Sequence, residues 1–140
     1  MAALCRRFEG CYLRPYLCPA GVPTIGYGAT HYEDGTRVTM TDAPITKERA
    51  EALLMHMVRT QYLPAAIKLC PGADTAGRAA ALGDFAFNLG IARLKASSLR
   101  RAVNAGDWGE AADQLRKWNR AGGRVLRGLT IRREAEVALL

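Results

Sequence analysis

The chain lacks the features that mark a secreted, membrane-bound or metal-dependent protein. No apolar run is long enough for a signal peptide or a membrane span, so we expect no leader or transmembrane segment and residence in the cytoplasm. Histidine is confined to His31 and His56, and Cys5, Cys11, Cys18 and Cys70 follow no C-x-x-C spacing, so no zinc-ligand motif is present. A cytoplasmic chain keeps such thiols reduced. Cys5 reads as a small core residue, and Cys70, ahead of Pro71 and Gly72, as a helix end. Aromatic residues make up 7% of the chain, and no stacking platform or nucleic-acid motif accompanies its arginines, which argues against a nucleic-acid partner. Repeats, low-complexity tracts and flexible linkers are missing as well.

What is present fits one soluble domain, with room for two lobes. The 140 residues are 49% hydrophobic, enough to bury a core. The net charge of +7 is unevenly placed: nine Lys/Arg face eight Asp/Glu through Gly90, and eleven face five afterwards. Sixteen of the twenty basic residues are Arg, which favours bidentate contacts to carboxylates and phosphates. The plain alternative for this basic excess is a solvated surface.

Periodicity and punctuation then place the elements. Met1 to Gly10 carries Leu4, Cys5 and Phe8 at helical spacing, with Gly10 suited to the C-cap and Glu9 at the helix end. Pro15 to Thr24 is turn-rich, with Pro19-Ala20-Gly21 as a tight turn. Val22 to Tyr27 and Thr36 to Thr39 read as short strands joined across Glu33-Asp34-Gly35. Thr46 caps a long helix bearing Ala50, Leu53, Leu54, Met57 and Val58, which Pro64 should kink or break. Thr75 caps a core helix with Leu82, Phe85, Ala86 and Leu89 inward, ended by Gly90. Ser97 or Ser98 caps a short helix, Asp107 and Glu110 approach a capping box, and a last helix starts near Thr130. The fold class expected is α+β with helices dominant.

The chemistry-bearing stretch is Phe8 to Gly28, F-E-G-C-Y-L-R-P-Y-L-C-P-A-G-V-P-T-I-G-Y-G. Glu9 is followed after eight residues by Cys18, and Cys18 after five more by Thr24. This pattern resembles the phage lysozymes, the muramidase endolysins of glycoside hydrolase family 24, in which a helix-end glutamate precedes an aspartate or cysteine and then a threonine at those spacings. Later blocks agree: Ala80 to Gly90, Ser97-Ser98-Leu99, Trp118 to Gly123, Gly128-Leu129 and Arg132-Arg133-Glu134. The resemblance implies a lysozyme-like fold, with a small sheet lobe over residues 10–45 and a linking helix over 46–69. A helical lobe over 70–140 would pack with the N-terminal helix, and no wall-binding module would be attached.

It also implies hydrolysis of the β-1,4 bond between N-acetylmuramic acid and N-acetylglucosamine in bacterial peptidoglycan, for host lysis and phage release. Such cleavage needs a proton on the leaving oxygen and a nucleophile at the sugar carbon. By the resemblance Glu9 is the general acid, and Thr24 with Cys18 positions the attacking water. Cys18 stands where an aspartate is usual, and a free thiol is only a few per cent thiolate at pH 7. Tyr16, Tyr27, Gly28 and Thr130 are candidate substrate contacts, with core packing the alternative for each tyrosine, and Arg132 or Arg133 a candidate partner of Glu9. Histidine usually follows Thr-Ile-Gly-x-Gly in the family; here Ala29 does, and His31 carries no role. No cofactor or metal is expected, and the default state is a monomer. A holin would open the inner membrane so that the enzyme reaches the wall. Anionic envelope components would meet the basic C-terminal half. Three other readings are a non-catalytic peptidoglycan-binding protein of the same fold, a zinc amidase using His31, His56 and a cysteine, and membrane permeabilisation by the Arg-rich region.

Overall fold

The computed structural model describes residues 1–140 and divides into two compact units, Ala2–Gln61 and Tyr62–Leu140 together with Met1. The first unit opens with helix α1 (Ala2–Phe8), whose inward Cys5 is fully buried. Strands β1 (Tyr12–Leu17) and β2 (Pro23–Gly26) follow as an antiparallel two-stranded sheet. Reading Pro15 as a turn signal obscured β1. In a sheet of two strands every strand is an edge, and an edge tolerates a residue that cannot donate to the ladder. Thr36–Thr39 is not a strand: its ladder contact is the isolated bridge His31↔Arg37, and its other hydrogen bonds, among them Val38 N to Thr30 O and Tyr32 N to Thr36 O, are those of a loop. Gly35, at φ 84°, closes the expected turn with a hydrogen bond from its N–H to the Tyr32 carbonyl.

Helix α2 (Lys47–Met57) starts where the Thr46 hydroxyl accepts the Arg49 N–H, and it buries Ala50, Leu53, Leu54 and Met57. Pro64 does not break the run. A π-helical turn, Val58–Tyr62, precedes helix α3 (Leu63–Leu69), and the proline falls in the first turn of α3 where no N–H is required. The division between the units falls inside that π turn.

The second unit is helical: α4 (Ala76–Leu89), α5 (Ile91–Ala96), α6 (Ser98–Asn104), α7 (Trp108–Arg116) and α8 (Arg127–Val137). Helix α4 is its centre, with Leu82, Phe85 and Ala86 fully buried among Ala66, Leu94, Leu99, Val103 and Leu115. Thr75, Ser97 and Asp107 cap α4, α6 and α7. The capping box at Asp107 is only half made, because the Glu110 carboxylate accepts from Gln114 instead. A two-residue hairpin, β3 (Arg120–Ala121) and β4 (Arg124–Val125), turns on Gly122 and Gly123, both at positive φ. Helix α8 begins at Arg127, three residues ahead of the expected start at Thr130, and Gly128 lies in its first turn.

Candidate active site

Glu9 leaves α1 at its C-terminal end, where its N–H donates to the Cys5 carbonyl at 2.8 Å and its side chain is half-buried. Gly10 is not a left-handed cap. It lacks a positive φ, and a Cβ built there would come within 2.6 Å of the Tyr12 ring, so glycine serves space here rather than backbone freedom.

Cys18 ends β1 and opens the hairpin loop. Its carbonyl accepts the Gly21 N–H at 2.8 Å, and its own N–H donates to Val22 O at 3.1 Å. This is the tight turn expected from Pro19-Ala20-Gly21, with Gly21 at φ 74°. The backbone N–H groups of Val22 and Ala20 favour the thiolate of Cys18. With help from the Thr24 hydroxyl, they hold the thiol below its ordinary value of 9.0 against a smaller opposing effect of desolvation. Thr24 is buried, and its hydroxyl donates to Val22 O at 2.9 Å. One hydroxyl has one proton, so the Val22 carbonyl and a Cys18 thiolate compete for it. Its oxygen lone pairs stay available to a water.

Tyr16 connects these residues. It pairs across the sheet with Thr24, and its phenol is pushed up first by burial, then by the charges of Tyr12, Glu9 and Cys18. Glu9, Cys18, Thr24 and Tyr16 all belong to the first unit. Tyr27 behaves differently: it is 5% exposed, donates to Glu51 Oε1 at 2.8 Å, and is pushed up to about 12 by that bond and by burial. A ring so enclosed has no open face for a sugar, which corrects the stacking expected of it. Gly28 is exposed with open space beside it, at φ 103°, in the short loop closed by paired hydrogen bonds of 2.9 and 2.9 Å between Ile25 and Ala29. Ala29 is fully buried, and His31 is an exposed loop residue whose Nδ1 lies 3.0 Å from Thr30 Oγ1.

Thr130, Arg132 and Arg133 lie on α8 in the other unit. Thr130 donates to Leu126 O at 3.2 Å and accepts from Asn119 at 3.4 Å. Arg132 grips Asp84 with two hydrogen bonds, 2.8 and 3.0 Å, both side chains buried. Arg133 donates to Glu136 at 2.8 Å and Asn88 at 3.0 Å and lies over the Phe85 ring. Nowhere do three or more His, Cys, Asp or Glu side chains come together as metal ligands would, so His31 and His56 share no ligand set. No helix is long and apolar enough to cross a membrane. Tyr12, three residues after Glu9, is half exposed.

The model of the family described as phage lysozyme matches residues 6–136. An endolysin of Bacillus phage B103 is 37% identical over 97% of this chain, which spans half of that protein's length. An endolysin of Acyrthosiphon pisum secondary endosymbiont phage 1 is also 37% identical, with 97% of this chain and 91% of that one covered. Among solved structures, the endolysin from Escherichia coli O157:H7 phage FAHEc1 superposes with a TM-score of 0.83 at 32% identity, covering 99% of this chain and 88% of that one.

Proposed function

The chain belongs to the phage lysozyme family, and on that premise we propose that it is a peptidoglycan hydrolase of the muramidase kind. Its substrate on this reading is the β-1,4 bond from N-acetylmuramic acid to N-acetylglucosamine. Glu9 donates a proton to the leaving oxygen as the bond breaks. Thr24 and Cys18 hold a water for attack at the anomeric carbon, the threonine oxygen and the thiolate each accepting one of its protons. The observation that carries this reading is the hairpin that sets Cys18 and Thr24 on one carbonyl, Val22 O, which accepts from the Cys18 N–H at 3.1 Å and from the Thr24 hydroxyl at 2.9 Å. The lowering of the Cys18 thiol favours an anion where a carboxylate is otherwise used. Release to the wall through a holin, a monomeric state and lysis of the host belong to the same reading.

The test is chemical. Purified peptidoglycan is digested, reduced with borohydride and hydrolysed, and the reduced sugar is identified. Muramitol is expected, with release unaffected by chelator. Glucosaminitol would move the cleavage to the other glycosidic bond, and new amino groups without reducing ends would point to the amidase. Retention on the wall with no product would favour the binding protein.

A further inference from the structure

The bend in β1 has produced a second feature beside the acid. Residues four apart in a regular strand lie about 13 Å from each other, yet the rings of Tyr12 and Tyr16 sit 4.3 Å apart between centroids at an interplanar angle of 36°. The cause lies in the register. Tyr12 pairs with Gly26 and Tyr16 with Thr24, so four residues on β1 are spent against two on β2, and the surplus bulges out. Gly10 completes the arrangement, since any side chain there would collide with the Tyr12 ring at 2.6 Å. Tyr12 is 51% exposed although it is held by both neighbours. A large ring fixed in place yet left open to water is unusual, because burial is the usual return for ordering it.

We propose that Tyr12, backed by Tyr16 and seated over Gly10, is a stacking platform for a pyranose ring of the glycan, next to the catalytic Glu9. A β-1,4-linked hexosamine carries its substituents equatorially and leaves two C–H faces, and such a face matches an aromatic surface in area and polarity. Tyr16 stiffens Tyr12 and links it to Glu9 and Cys18, so a ring stacked there would hold the neighbouring glycosidic bond in register with the acid. The platform rests on the glycan-hydrolase reading, and its test can fail independently of that reading.

Binding is measured in the Glu9→Gln background, by co-sedimentation with purified peptidoglycan and by calorimetry with a soluble β-1,4 N-acetylglucosamine oligomer. Tyr12→Ala should weaken both about tenfold, the scale of one aromatic stack, while Tyr12→Phe keeps affinity. Gly10→Ala should cost a comparable factor by displacing the ring, and the Gly10→Ala/Tyr12→Ala pair should bind no worse than Tyr12→Ala alone. Equal binding by the Tyr12→Ala variant, or full additivity of the two changes, would overturn the platform. Turnover is scored separately with Glu9 restored. Reducing ends without any Tyr12 dependence of binding sink the platform alone, whereas Tyr12-dependent binding without reducing ends sinks the hydrolase reading alone.

Discussion

At Cys18 backbone amides take the place of a charged neighbour. The Val22 and Ala20 N–H groups favour the thiolate, and the Thr24 hydroxyl adds to them, so the thiol loses its proton below 9.0. If the thiolate accepts a proton from the attacking water, the rate should rise with pH and level off before an ordinary cysteine would have titrated. Iodoacetamide reactivity should follow the same curve; a rate flat from about pH 6 to 9, or full activity for Cys18→Ser, would remove the thiolate from the mechanism. Thr24→Val keeps the shape of the side chain and deletes the hydroxyl. The midpoint of Cys18 alkylation should therefore move upward, and turnover should fall with it; an unmoved midpoint would show that the hydroxyl bonds only Val22 O. Glu9, Cys18 and Thr24 were nominated by covalent spacing, which a sequence shows directly. Tyr12 was not, since its position depends on a bulge that no local residue announces. At Tyr27 the choice between stacking and core packing stayed open in the sequence, because its Glu51 partner lies 24 residues away.

Elements with strong local punctuation were read well. Thr46, Thr75 and Asp107 cap their helices because each side-chain oxygen accepts an N–H three residues on, at 3.1, 3.2 and 2.9 Å. Thr75→Ala should lower stability by about 1 kcal/mol, seen as a shifted denaturation midpoint at unchanged slope; a change near zero would mean that tertiary packing alone fixes the start of α4. Elements decided by their surroundings were read poorly. β1 contains Pro15 and exists because its edge is free, while Thr36–Thr39 has strand-like residues but only one isolated bridge, with no continuing ladder. The Gly122-Gly123 hairpin was readable in principle, as two glycines suit a turn with positive φ at both central positions. The π turn before Pro64 depends on how the chain packs and had no sequence signal.

Across the whole molecule, charge is arranged in two ways. Within the helical unit, Asp84, Arg132, Arg133 and Glu136 are all buried. Burial pushes Glu136 up to about 9, outweighing the attraction of Arg133, and a hydrogen bond to Asp84 favours its protonated form further. Glu136 Oε2 has no donor against it, so an ionised oxygen there would be left unsatisfied. A group raised from 4.5 to about 9 contributes stability that is full below 4.5 and lost as pH rises through 9. Glu136→Gln should flatten that loss, so unfolding curves at pH 5 and 9 should lie closer together than in the parent; an unchanged separation would locate the proton elsewhere. On the surface, Arg120, Arg124 and Arg127 are exposed and enter no ion pair, which places part of the C-terminal excess where an anionic envelope can meet it. Retention on purified wall should then fall with salt over the range that shortens the screening length, and charge reversal of these three should abolish the dependence. On the proposed reading Glu9 delivers the proton that breaks a glycosidic bond. The most direct measurement is the release of new reducing ends from purified peptidoglycan by the parent and by Glu9→Gln, with fold checked by thermal unfolding. The account predicts steady release by the parent and a loss of at least about 10²-fold in the variant; undiminished release by a folded Glu9→Gln protein would contradict it.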